Sequence, residues 1–357
     1  MRSLRLLVPA AALAGVVSAA ALSDRQAVPG TAAALRIENA PRAIAKREGA
    51  GKPVVLAFAG DVHFESPIAS ELRAAPGGVL SSIGPVLRRA DITVVNLETA
   101  VTTRGAPAPK QYVFRAPPSA FSALAAGGVD VASMANNHGM DYGEAGLRDS
   151  LAAARNAGFP VIGAGLDSQR AYAPFRRTVR GQRIAVIGAT QVLDDHLISA
   201  WIAGPRKPGL ASAKDVPRLL RAVREARATS DTVVVFLHWG VELAQCPTSD
   251  QRNLARALVG AGADVIVGGH AHRLLGTGKM RKALVSYGLG NFVWYGSSEL
   301  SVQTGVLLVT MTGRKVTRYR WEPARIVDGT PRPLTGAERR KAIAEWRGLR
   351  GCTGLEP

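Results

Sequence analysis

Short apolar runs rich in β-branched residues recur along the chain, and stretches of helical spacing separate them. "PVVLAFAG" (53–60) is continuous, apolar and closed by glycine, which predicts a buried strand. "DITVVNLE" (91–98), "VDVASMANN" (129–137) and "PVIGAG" (160–165) repeat that pattern. Helical spacing over 80–90, 119–128 and 144–158 falls before or between these runs. Further strands are predicted over 183–190, 231–240 and 263–270, with helices over 213–228 and 249–262. The runs 282–291 and 305–312 also read as strands, less tied to helices. Strands alternating with helices argue for an α/β layered fold, and continuous apolar strands argue for a sheet covered on both faces.

The ends of the chain read differently. "MRSLR" followed by "LLVPAAALAGVVSAAAL" is a short basic segment and then an apolar one, so residues 1–22 are expected to be a signal peptide or a retained N-terminal anchor. Residues 23–50 show no core pattern and read as a linker. A single domain is expected over 51–325, and 326–357 as a Pro- and Arg-rich C-terminal tail, briefly helical at "GAERRKAIAEW".

The 357 residues are 47% hydrophobic and 20% charged, which supplies a large core and excludes a chain disordered by composition. The formal net charge of +18 is spread along the chain rather than gathered in one run. Aromatics are 5%, too few for stacking platforms along single-stranded nucleic acid, so no nucleic-acid partner is expected. Two readings of the charge stay open, an Arg-rich compositional habit and an anionic substrate or surface polymer. The two cysteines, Cys246 and Cys352, permit one disulfide in an exported protein, or are two free thiols.

Candidate chemistry concentrates where the apolar runs end. Five of the six histidines lie there: His63, His138, His238, His270 and His272. With Asp61, Asn96, Glu98, Asn137, Glu242 and Asn291 they form a row of strand-end side chains, and ligand crevices of open α/β sheets lie beyond the carboxyl ends of the strands. Imidazoles, carboxylates and an amide together suit a first-row divalent metal, with Mn, Fe or Zn fitting comparably. The number of donors allows two cations sharing one carboxylate. Asp61 and His63 are two apart, so both are expected on one side of an extended segment.

The ordered set "GDVH", "NLE", "ANNHGMDYG", "HWGVE", "GGHAH" and "YGLGNFVW" resembles the CapA-type capsule-synthesis proteins over residues 53–325. These are a branch of the calcineurin-like metallophosphoesterase superfamily associated with poly-γ-glutamate capsules. The resemblance implies a layered α-β-β-α metallophosphoesterase-like sandwich with flanking helices. It implies two divalent metal ions, one on Asp61, His63 and His272 and the other on Asn137, His238 and His270, with Glu98 bridging. His138 would be the catalytic residue, protonating the leaving oxygen or stabilising the transition state as a cation. Arg115, Asn136, Asp141, Glu242 and Asn291 would bind substrate or orient the ligands. The implied activity is metal-dependent phosphoester hydrolysis in capsule or surface polyglutamate biosynthesis, outside the cell or in its envelope. An anionic polymer or phosphoester would be the substrate, and membrane proteins of capsule synthesis the partners. The competing reading is a non-catalytic capsule-assembly or export factor that binds an anionic polymer.

Overall fold

The computed structural model describes residues 52–296 and 298–357. The expected export segment (1–22) and linker (23–50) lie outside the described residues.

The main strands, in chain order, are β1 (Val54–Val62), β2 (Ile92–Leu97), β3 (Val131–Ser133), β4 (Val161–Ile162), β5 (Phe175–Val179), β6 (Gln182–Thr190) and β7 (Thr232–His238). They continue with β8 (Val265–Gly269), β9 (Thr277–Met280), β10 (Ala283–Ser286), β11 (Asn291–Val293), β12 (Gln303–Thr312), β13 (Lys315–Val327) and β14 (Thr330–Pro333). One sheet runs β14-β13-β12-β1-β2-β3-β4, with β11 also paired to β1, and the other runs β9-β10-β8-β7-β6-β5. Strands β1 to β4 are parallel, as are β6, β7, β8 and β10.

Period-2 alternation decides which layer each side chain enters. Val54, Leu56 and Phe58 of β1 meet Val234 and Phe236 of β7 in a core between the sheets. Ala57 and Ala59 face the other way, toward α1 (Ile68–Ala74), α2 (Ser119–Gly127) and α3 (Gly143–Asn156). Val233, Val235 and Leu237 likewise face α4 (Val216–Thr229) and α5 (Ser249–Ala261), which bury Leu219, Val223, Leu254 and Leu258. The helices on the second sheet are held by local chemistry as well. Asp215 caps α4 by accepting from the Arg218 N–H, and Thr248 with Gln251 forms a capping box on α5. The expected layered α-β-β-α sandwich with flanking helices is what the chain builds.

Two local expectations change. Helical spacing over 80–90 yields only one turn, Gly84–Leu87. The boundary placed at 325 falls inside β13, so 326–357 is not a separate tail. It continues the sheet through β14 and packs α6 (Gly336–Gly348) on β13, where Trp346 stacks on Trp321 at 5.6 Å with rings 4° from parallel. Both indoles are buried, which anchors a segment whose arginines read as polar. The Cys246–Cys352 disulfide then ties the end of this segment to the loop after β7.

Candidate metal centre

The carboxyl ends of the parallel strands from both sheets meet at one edge of the sandwich. β1 brings Asp61, the end of β2 brings Asn96 and Glu98, and the turn after β3 brings Asn136, Asn137 and His138. From the second sheet come His238 at the end of β7, then His270 and His272 after β8. The approach is close because Gly269 has no side chain, since a Cβ there would lie 2.2 Å from Asp61 Oδ1. His270 and His272 both take left-handed backbone conformations, with φ of 87° and 53°. Such conformations are costly without glycine and cluster at functional sites.

Two groups of three donors lie within ligand reach of a single ion. They are Asp61, Glu98 and His238, and Glu98, His270 and His272, and in each the donor atoms all lie within 4.8 Å of one another. Glu98 belongs to both. Its Oε2 accepts from Asn96 Nδ2 at 3.2 Å, whereas its Oε1 is buried with no hydrogen-bond partner among the described residues. His270 Nδ1 is likewise buried and unpaired among the described residues. Buried polar atoms are almost always satisfied, so unpaired lone pairs at the focus of two donor groups fit a cation.

The electrostatics agree. Burial pushes the Glu98 carboxyl well above the ordinary carboxylate range, and the Asp61 charge adds to it. Burial also raises Asp61, against the opposing pull of His272, Asn96 and the His270 N–H. Burial holds His63 and His238 well below the usual imidazole range and takes His270 down to about 3. Neutral imidazoles offer lone pairs, and carboxylates that burial disfavours gain most from a cation.

Around these donors runs a polar cradle. Asn96 Nδ2 faces three acceptors, Asp61 Oδ1 at 2.8 Å, Glu98 Oε2 at 3.2 Å and His238 Nδ1 at 3.1 Å, with two protons to give. Asn136 donates to Asn96 Oδ1 and accepts from the His138 N–H. Asn137 Oδ1 lies 2.7 Å from His238 Nε2. Asn291 Oδ1 lies 2.9 Å from His272 Nδ1, which is 3.5 Å from Asp61 Oδ2. Asp141 Oδ2 lies 2.6 Å from His138 Nδ1, as expected for an orienting carboxylate. Burial lowers His138, and Asp141 opposes that by favouring the imidazolium.

Three predicted residues sit elsewhere. His63 joins neither donor group. A register irregularity after Phe58 and another between Asp61 and Val62 break the alternation that would have placed it beside Asp61. Its Nδ1 accepts from the Glu65 N–H at 3.0 Å, and its ring lies among Phe114, Trp294 and Tyr295. Trp294 also packs on His272, and Phe114 on His138, so His63 belongs to the aromatic wall beside the donors. Glu242 is exposed and makes no hydrogen bond to His238, whose ring nitrogens face Asn96 and Asn137. Arg115 is exposed, its guanidinium 4.7 Å over the Tyr142 ring and its backbone N–H held by Glu65.

Lys110 is the residue that sequence reasoning missed. Its side chain is 5% exposed, and its Nζ donates to the Asn137 carbonyl and to Asp141 Oδ1, the latter at 3.0 Å. It braces both the backbone of Asn137 and the Asp141 carboxylate beside His138. A lysine in a loop of a chain with net charge +18 gives no signal of this kind.

Residues 55–295 match the family described as bacterial capsule synthesis protein PGA_cap. The chain belongs to this family. It is 30% identical over 268 residues to the capsule biosynthesis protein CapA of Bacillus anthracis, a match covering 72% of this chain and 64% of that protein. It is also 30% identical over 259 residues to the PGA biosynthesis protein CapA of Bacillus subtilis, covering 72% of this chain and 67% of that one. The chain therefore spans about two thirds of the length of these relatives. A hypothetical protein from Thermus thermophilus has a similar fold, with a TM-score of 0.50 at 18% identity over 76% of this chain and 100% of that one. The family match contains every candidate residue from Asp61 to Asn291 and stops short of β12, β13, β14 and α6.

Proposed function

We propose that this protein is an exported, metal-dependent hydrolase of phosphoester type acting in the biosynthesis of a surface polyglutamate. The observation that carries the catalytic part is Glu98, a buried carboxylate with one unpaired oxygen shared by two donor groups. Family membership supports the polymer, and the basic-then-apolar segment 1–22 supports export. A pair of divalent cations at this site would supply Lewis-acid polarisation of a phosphoryl oxygen and a clamp on the attacking and leaving oxygens. Asp61, Glu98 and His238, with the Asn137 amide oxygen beside His238, would hold one, and Glu98, His270 and His272 the other. His63 Nδ1 accepts from the Glu65 N–H and its Nε2 faces the Tyr295 N–H at 3.5 Å, so His63 is left out of both sets. With Nδ1 engaged by Asp141, His138 has Nε2 left to hold or deliver a proton. Lys110 and Phe114 fix that pair, since Lys110 Nζ and the Phe114 N–H both donate to Asp141. The aromatic wall excludes water on one side.

The competing reading, a non-catalytic assembly factor, has no use for a braced His138. The full chain, loaded in turn with Mn, Zn and Mg, should hydrolyse a generic phosphomonoester. His138→Ala should keep its metal and lose activity on the order of 10²–10⁴-fold. Absence of turnover in metal-loaded wild type, or an unchanged rate in the variant, would favour the assembly factor.

A further inference from the structure

Strand β13 and helix α6 carry a second concentration of charge. Residues 314–350 hold eleven Arg or Lys against four Asp or Glu. Over Lys315–Pro323, β13 pairs with β12 alone among the described strands, because β14 pairs only Ala324–Val327. A cavity of about 470 Å3 opens between that edge and α6, lined by Arg318, Arg320, Arg339, Arg347 and Arg350 around the Trp321–Trp346 stack. Arg318 and Arg320 also line an adjoining recess with Arg89. The place is remote from the candidate centre. Arg318 and Arg320 align through Thr310 and Leu308 with Val55 and Ala57, whereas Asp61 lies four to six residues further along β1. That offset is roughly 13–20 Å at the rise of a strand, with two strand spacings across.

The structure shows what this surface does to a carboxylate. Glu322 is held by Arg89 at 3.2 Å, by Arg320 Nε at 3.2 Å and by Arg339 at 3.0 Å. One internal carboxylate thus engages three guanidiniums. Arg318, Arg347 and Arg350 have no acidic partner among the described residues, and Arg318 and Arg347 are exposed. Guanidinium forks match carboxylates in geometry, and several of them along one edge match a chain that carries carboxylates at intervals.

We propose that this edge groove binds a carboxylate-bearing chain, seating its carboxylates on Arg318, Arg347 and Arg350. The choice of polymer rests on the polyglutamate reading above, while the groove rests on its own geometry. It is built from residues beyond the family match, so it is a holding site added to the catalytic domain. Exposed cations are screened by salt, so binding should be weak and salt-sensitive.

The test measures binding of poly-γ-glutamate to the full chain at low salt by titration. Arg318→Ser/Arg347→Ser is compared with Arg221→Ser/Arg224→Ser, which removes equal charge from exposed positions on α4. The groove variant should bind about tenfold more weakly, and the α4 variant like wild type, with turnover of a small phosphoester unchanged in both. Equal losses in the two variants would overturn the proposal, because net charge alone would then explain binding. Binding of inorganic polyphosphate but not of polyglutamate would overturn the carboxylate assignment. Groove-dependent polymer binding in a protein without phosphoesterase turnover would support the groove and count against the enzyme reading alone.

Discussion

The candidate metal centre and the β13–α6 groove both crowd like charges, and they do so in opposite solvents. At the centre, Asp61 and Glu98 are wholly buried, and burial pushes both carboxyls up. In the groove, Arg318 and Arg347 are exposed, and Arg320 and Arg339 are half-buried around one carboxylate. Water relieves the groove, so its cations repel one another weakly and it costs the fold little when empty. At the centre Asn96, the His270 N–H and nearby Lys110 and His272 relieve the carboxylates only in part, and Glu98 Oε1 keeps no hydrogen-bond partner among the described residues. Burial rather than charge count therefore separates the proposed ion site from the proposed, screened holding surface.

The largest test of that contrast cuts the covalent link between the regions. Cys246 lies in the loop after the His238 strand and Cys352 just beyond α6, 106 residues apart in sequence. A loop of that length implies that Cys246→Ser/Cys352→Ser costs about 5 kcal/mol of stability, read by urea unfolding. Metal content should not change, because no candidate ligand lies beyond Asn291. A parallel loss of metal would show that the two regions are coupled.

A somewhat smaller effect belongs to the centre alone. His270 has its folded pKa lowered to about 3, below its unfolded value, so its contribution is present above pH 6.5 and is lost as pH falls toward 3. Glu98 runs the other way: its raised pKa gives a contribution present in acid and lost as pH rises through that pKa. In chelator, wild type should lose stability from pH 6.5 to pH 4, and His270→Gln should reduce that loss by on the order of 3 kcal/mol. Identical acid profiles would mean that the imidazole is not buried as described. The smallest effect is the tenfold change in polymer affinity at the groove, and it should vanish at high salt.

The two regions also differ in how far the sequence revealed them. Strands β1, β2, β7 and β8 were legible because both faces are buried and the runs are continuously apolar. β13 was not, since "KVTRYRWEPARIV" mixes exposed, half-buried and buried positions without a period of two and places arginines on an open edge. The donors of the centre were legible as strand-end residues. His63 was misplaced because register irregularities in β1 cannot be read from spacing. The packing of Phe114 and Trp294 on that ring depends on three distant segments meeting, as does the bracing of His138 by Lys110. Glu242, two residues into the loop after Gly240, had the right chemistry but lies in solvent.

The central claim is that Glu98 holds cations between the sheets. Its most direct measurement is the metal content of the purified full chain, wild type against Glu98→Gln, after exposure to Mn, Fe or Zn and removal of excess ion. The wild-type chain should hold about two equivalents and the variant neither. The variant should also be more stable than wild type in chelator above neutral pH, since it no longer ionises a buried carboxyl. Wild-type protein that binds no divalent cation, or a Glu98→Gln variant that keeps two, would contradict it.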